Sequence, residues 1–413
     1  MYNPNDKRAT AVHRPVVFRV RPGGDWMPLF DFREFLRLSS VLNYNLSAAS
    51  LNRYNVLQFI IEDKKLSSDP GSDREQKGIV MEALNYLLAA YSDKRRRLGP
   101  MAVLHPLRAA ALFTRSRKKI DLLTLLTVLF HDVLEDINSR DYETQRWRTM
   151  ENQLYDILQR LPRQDETALI ARLTALSRRP QETYYEYIGR LLESTEPVAV
   201  LVQTKLADRL DNTLDMRIDL QDPLGEIDFF QVIFEVLFVN NYPGYRPRPE
   251  RPPTAVLNGA RRLFQLFKNA VLLSLIRQMA DIRNSRPARQ LFVALADASL
   301  QEAQRTLLHL LGRRYQNVAN QRALLVEAME YCYAGRTDLV TEPDRRWMLD
   351  GLFSSYFGHG DARFRDQQLD RLYQDKPLMI EASVAFIVIF CSFLNNRHYY
   401  VKGISASGIS PKM

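Results

Sequence analysis

Asp121-Leu-Leu-Thr-Leu-Leu-Thr-Val-Leu-Phe-His131-Asp132-Val-Leu-Glu135-Asp136-Ile137 is the stretch on which the reading of this chain turns. From Leu122 to Phe130 it is strongly apolar, and its spacing predicts an amphipathic helix over Asp121–Ile137. At about 100° per residue His131, Asp132, Glu135 and Asp136 fall at about 0°, 100°, 40° and 140°, so the four polar side chains share one face. An imidazole and carboxylates buried at the end of an apolar span are costly unless they pair with one another or bind a metal. Taken alone, a His-Asp dipeptide followed by acids also fits a solvated helix end, and the neighbouring segments decide between the two.

Upstream, Met81, Leu84, Leu87, Leu88 and Tyr91 recur at three- and four-residue steps. They describe a buried helical face that ends in the basic run Lys94-Arg95-Arg96-Arg97 and in Gly99-Pro100. Pro106 loses no needed hydrogen bond in a first helical turn, so a further helix is expected to begin near His105-Pro106. Downstream, Ala168 to Leu176, Tyr184 to Leu192 and Val198 to Met216 read as three more helices. On the last, Asp208 and Asn212 are one turn apart and Asp215 lies near the same meridian. A helix presenting Asp208 inward completes, with His105, His131 and Asp132, a set of two imidazoles and two carboxylates. Mixed nitrogen and oxygen ligation suits Mn²⁺, with Fe²⁺, Zn²⁺ and Mg²⁺ as alternatives, and leaves room for water and a phosphate oxygen.

In order along the chain, Arg96 with Gly99, His105-Pro106, His131-Asp132 with Glu135-Asp136, and Lys205-Leu-Ala-Asp208-Arg-Leu-Asp-Asn212 resemble the hydrolase domain of the RelA/SpoT alarmone family. That domain is an HD-superfamily helical fold that removes the 3′-diphosphate from guanosine polyphosphates, and the likeness spans residues 75 to 220. The resemblance implies that His105, His131, Asp132 and Asp208 bind the metal and that Glu135 and Asp136 activate water and transfer protons. It further implies that Arg96, Arg97 and Asn212 contact a phosphorylated nucleotide. The sequence departs from the family at Arg97-Leu98, where Lys-Ser is usual, and at Asp211, where His is usual. Both positions flank the expected base and phosphate pocket, so the likeness supports metal hydrolysis better than guanine specificity. The acidic loop expected after Asp136, running through Asn138, Arg140, Tyr142 and Trp147, is also unlike the family's short Thr-rich one. A module that senses a nucleotide without turning it over is the alternative, as is hydrolysis of another phosphorylated nucleotide. The basic run Lys94 to Arg97 reads either as a phosphate funnel or as a solvated helix C-terminus, where cations are favoured in any case.

The whole chain of 413 residues reads as all-α. Residues 1–50 form a small N-terminal appendage or lid, with a β-like stretch at Val16 to Val20 and a turn at Pro22-Gly23-Gly24. Residues 51–222 form the HD-type helical bundle. Residues 223–413 form an additional helical domain, entered through the apolar stretch Phe229 to Asn241 and a Pro-rich segment from Pro243 to Pro253. Its aromatics, among them Phe353, Tyr356, Phe357 and Phe364, read either as a surface for homo-oligomerisation or a partner, or as that domain's own core. The alarmone synthetase module of the family is mixed α/β, so no synthetase activity is expected. The remaining histidines, His13, His309, His359 and His398, have no partners at ligand spacing.

A formal charge of +9 favours anionic partners at long range. No RNA-binding aromatic motif or zinc finger is present, so nucleic acid is not expected. Neither a Walker-type glycine loop nor a Gly-x-Ser-x-Gly elbow occurs, which argues against a P-loop NTPase and a serine hydrolase. Cys332 and Cys391 form no ligand pair and point to a reducing, cytoplasmic setting. The apolar run Ala382 to Leu394 falls short of the ~20 residues that cross a bilayer and reads as a core helix.

Overall fold

The computed structural model describes residues 30–47, 53–96, 101–180, 182, 184–218, 260–279 and 284–314, with positions 319, 363, 367, 384, 387, 404, 405, 408 and 409. Among them every element is helical except a two-residue antiparallel ladder, Ile404–Ser405 with Gly408–Ile409. The stretches at 16–20, 229–241 and 243–253 lie outside the described residues, as do His13, His359 and His398. Of the apolar run at 382–394, Val384 and Ile387 are described, both helical and buried. No helix among the described residues is long and apolar enough to cross a membrane.

The helices are α1 (Phe32–Ser47), α2 (Arg53–Ile61), α3 (Pro70–Ala90), α4 (Leu104–Arg115), α5 (Leu122–Leu129), α6 (Val133–Asp136), α7 (Thr144–Gln159), α8 (Arg163–Leu176), α9 (Tyr184–Leu192), α10 (Val198–Asp215), α11 (Ala260–Gln278) and α12 (Arg286–Arg314). Local chemistry sets several of their starts. Asp69 accepts from the Ser72 amide at 2.7 Å and Pro70 opens α3, an N-cap followed by a proline whose missing N–H costs nothing there. Asp121 likewise caps α5 by accepting from the amide and the hydroxyl of Thr124, each at 2.8 Å.

Helices α4 and α10 pack against each other at the centre, and the other elements wrap them. From Leu104 to Thr114 every residue of α4 is buried, and α10 is buried almost continuously from Val200 to Leu214. Around this pair, α1, α2 and α5 pack on α4, while α8, α9, α11 and α12 pack on α10. One apolar cluster runs from Phe35, Leu38 and Leu42 of α1 through Phe113 and Phe130 to Leu266 of α11 and Leu291 of α12. Each such side chain, fully buried, stabilises by about 1.5–3 kcal/mol over its exposed state, which is ample to hold two central helices whose polar side chains then have to find partners.

Two local expectations are corrected. The helix expected over Asp121–Ile137 is two helices, α5 and α6, joined through Phe130, His131 and Asp132. The His131 imidazole takes the Val128 carbonyl at 2.7 Å, the acceptor that the amide four residues on uses in an unbroken helix. The chain then tightens, with the Val133 amide on the Phe130 carbonyl at 2.9 Å. The polar side chains therefore do not share one face in the way a continuous wheel describes. The loop expected after Asp136 is instead a 3₁₀ turn, Ser139–Asp141, followed by the four-turn helix α7.

Candidate metal centre

Three separate elements bring the four expected ligands together. His105 stands in the first turn of α4, His131 and Asp132 form the turn between α5 and α6, and Asp208 lies mid-way along α10. His105, His131 and Asp208 are buried and Asp132 is half-buried. Their ligand atoms all lie within 4.8 Å of one another, and the four residues form a group that could hold a metal ion.

The two imidazole Nε2 atoms are 3.3 Å apart. Asp132 Oδ2 lies 3.1 Å from His105 Nε2 and 3.2 Å from His131 Nε2. Asp208 Oδ1 lies 3.2 Å from His105 Nε2 and 3.9 Å from His131 Nε2. With bonds of about 2.1 Å, adjacent ligands around one ion sit about 3.0 Å apart at octahedral angles and about 3.4 Å apart at tetrahedral ones, so the observed edges fit a shared cation.

Each imidazole is fixed by its other nitrogen. His131 Nδ1–H donates to the Val128 carbonyl, and His105 Nδ1–H donates to Asp211 Oδ2 at 2.7 Å. Both Nε2 atoms are thereby turned toward the carboxylates, the tautomer and orientation that metal-binding histidines need. Two lone pairs and two carboxylates facing one another demand either protons or a cation. Without a cation, burial alone would lower the pKa of His105, but hydrogen bonds to Asp132, Asp208 and Asp211 hold it well above its usual range. His131 is raised in the same way, burial being outweighed by the charge of Asp132. Burial works against ionised Asp132 and Asp208 too; the imidazoles keep Asp132 low, and Lys205 with His105 keeps Asp208 low.

Behind His105 lies a set of residues whose role the sequence reading missed. Asp211, fully buried, accepts from Arg108 Nε at 2.5 Å and Arg108 Nη2 at 3.0 Å as well as from His105. Arg108 also reaches Asp215 at 3.0 Å and the Ser39 hydroxyl of α1 at 3.2 Å, and its guanidinium stacks 4.6 Å from the Phe35 ring. Burial would raise the Asp211 carboxyl, but the Arg108 charge and the His105 hydrogen bond hold it far below the ordinary carboxylate range. A signal for this network existed: Arg108 follows His105 by three, and Asp211 follows Asp208 by three, so each shares a helical face with a ligand.

No family model, curated protein or solved structure matches the chain.

The remaining expected site residues fall at the rim. Asp136 accepts from the Tyr91 hydroxyl at 3.0 Å, and Lys94 binds its backbone carbonyl at 2.5 Å and Asp141 at 2.8 Å. Burial of its carboxyl, then the charge of Asp132, raises the pKa of Asp136. Glu135 is exposed and its Oε1 accepts the Arg178 amide at 2.7 Å. Arg96 pairs with Asp215 at 3.0 Å and Asp211 at 3.3 Å and donates to Asn212 at 2.8 Å. Asn212 in turn donates to Asp208 Oδ1 at 2.5 Å. In this arrangement Arg96 and Asn212 tie the ligand helix to the segment before α4. Of the basic run, Lys94 and Arg96 therefore point into acidic partners, Arg95 is exposed, and Arg97 lies outside the described residues.

Proposed function

We propose that the chain is a metal-dependent phosphohydrolase of the HD type, with Mn²⁺ as its ion and a phosphorylated nucleotide as its substrate. The convergence of two outward-anchored imidazoles and two carboxylates from α4, the α5–α6 turn and α10 carries this reading. The ordered likeness to the RelA/SpoT hydrolase domain supports a guanosine 3′-diphosphate as the nucleotide, with pyrophosphate as the leaving product. When bound, a divalent ion in this donor set supplies Lewis acidity toward a phosphoryl oxygen and makes nearby water more acidic.

The chain's own residues supply the rest. Asp136 sits beside Asp132, and burial with that neighbouring charge raises its pKa, so it holds a proton more readily than an ordinary carboxylate. The Tyr91 hydroxyl orients it, and Lys94 pins its backbone. Asp211 holds His105 in the ligating orientation. Glu135, at the surface beside Arg178, is placed to meet substrate or water from outside.

The test is direct. Purified chain loaded with Mn²⁺, its occupancy measured by elemental analysis, should release pyrophosphate and GDP from a guanosine 3′-diphosphate 5′-diphosphate. Full occupancy without release rejects this substrate, and a panel of phosphorylated nucleotides then decides the reaction class. A second reading, a nucleotide-sensing module without turnover, is favoured by one observation: Arg96 and Asn212, the expected nucleotide contacts, are engaged with Asp211, Asp215 and Asp208. Calorimetric nucleotide binding with no turnover would support it.

A further inference from the structure

The turn from α2 to α3 and the turn from α4 to α5 together line an open cleft of about 1030 Å³. Glu62, with a backbone φ of 56°, bends the chain out of α2. Asp73 Oδ1 then fixes the wall by accepting from the amides of Leu66 at 2.7 Å and Ser67 at 3.4 Å. Leu66 on one side and Ile120 on the other anchor the two walls in the core. Arg117 follows the last turn of α4 and Asp121 caps α5, whereas His105 opens α4 and His131 follows α5. The cleft and the metal centre therefore lie at opposite ends of the same two helices, and the 12 residues of α4 alone span about 18 Å.

Cations gather in this cleft: Lys64, Lys65, Arg117, Lys118 and Lys119 all line it. Its acids are mostly engaged elsewhere. Glu62 is taken by Lys64 at 2.7 Å and by Arg115 at 3.0 Å, and Asp121 accepts from the amide and the hydroxyl of Thr124, which leaves the exposed Asp63. Among the described residues, Lys65, Arg117, Lys118 and Lys119 have no carboxylate at ion-pair distance. Arg117 is held instead by the Phe113 ring, 5.2 Å from its guanidinium, and its buried Nη1 has no hydrogen-bond partner. Burial lowers its pKa, and the charge of Asp121 restores only part of the loss. A guanidinium nitrogen without an acceptor in a protein wall is unfavourable until one arrives. The cleft has the size of a small-molecule site. No aromatic side chain lines it, so it offers no ring on which a nucleic-acid base could stack, while its guanidinium and ammonium groups suit a multiply charged oxygen ligand.

We infer that the cleft between residues 62–68 and 117–121 is a binding site for a small oligophosphate, with Arg117, Lys65, Lys118 and Lys119 as its cations. A cavity of this size exceeds a single phosphate, and a chain of linked phosphates meets both walls at once. The site does not rest on the phosphohydrolase reading, since none of its residues belongs to the metal centre.

Inorganic tripolyphosphate is the probe, titrated calorimetrically into the full chain in chelator, so that no metal bridges the two. Saturable binding is expected. Arg117→Met should weaken it about ten-fold, as a charged hydrogen bond is worth. The double variant Lys118→Met, Lys119→Met should weaken it about five-fold and melt as the parent does, because both lysines are exposed. A double variant outside the cleft, Arg148→Met with Arg163→Met, removes the same charge from exposed positions and should change the affinity less than about two-fold. Adenosine triphosphate bound no more tightly than tripolyphosphate assigns the site to the phosphate chain, and tighter binding assigns it to a nucleotide. Absence of saturable binding, cleft variants that bind as the parent does, or an equal loss in the outside variant overturns the inference. A short single-stranded RNA that outcompetes tripolyphosphate in the parent and not in the cleft variants also overturns it, in favour of a nucleic-acid surface.

Discussion

Two neighbouring stripes of α10 handle charge in opposite ways. Along Asp208, Asp211 and Asp215 the acids meet His105, Arg108 and Arg96, so nearly every charge is closed by its opposite at hydrogen-bond distance. Along Lys205 and Arg209 the cations meet one carboxylate, that of Asp208, one tyrosine ring and neutral amides. The first stripe is finished without a ligand except at its imidazole end. The second is held mainly by neutral acceptors and a ring face, so its hydrogen bonds, and not opposite charges, fix its side chains.

The largest test of that contrast is Asp208→Ala, which belongs to both stripes. It should abolish stoichiometric metal binding, read by elemental analysis, while circular dichroism still shows a helical protein; retained full occupancy would detach Asp208 from the metal. Next comes a matched pair. Arg108→Met strands Asp211 in a buried site and should cost roughly 3–5 kcal/mol in chemical denaturation. Arg209→Met strands only amides and should cost about 1–3 kcal/mol. Equal losses would erase the distinction between the stripes. A smaller effect is expected of Asp211→Asn, which keeps the shape but weakens the hold on His105 Nδ1; metal affinity should fall about 10- to 100-fold with little change elsewhere.

The subtlest test is pH. In chelator, His105 and His131 titrate above their ordinary value, so their stabilising protonation is complete below about pH 6.5 and is lost as pH rises through the raised folded values. Thermal midpoints of metal-free protein should therefore decline above about pH 6.5. Saturating Mn²⁺ should remove that decline, because the ion binds deprotonated imidazole. The same downward slope with and without metal would mean that no ion replaces the protons.

Much of the centre was legible before any coordinates. Pro106 after His105 marked the start of α4, and the one-turn spacing of Asp208 and Asn212 placed them together on α10. What escaped the sequence had physical causes. The wheel drawn through His131 assumed an unbroken helix, and no periodicity reveals that an imidazole will take the carbonyl at 128 and turn the chain. Helix α7 was missed because it buries only Met150 and Ile157 fully, leaving a polar segment with little apolar rhythm to read. Asp211 looked like a change in the nucleotide pocket because its partner Arg108 lies 103 positions away in sequence, and only folding shows that the two close on each other.

The stacking of Phe35 on Arg108, with Ser39 beside it, gives the first helix a stake in a candidate metal centre whose other parts lie far along the chain. Cutting the polypeptide at residue 50 to isolate a tidy metal-binding fragment would strip the roof from that guanidinium and let water compete for Asp211. The minimal working unit consequently begins no later than α1, and a shorter piece that failed to take up metal would report a leaking scaffold and not a wrong set of ligands.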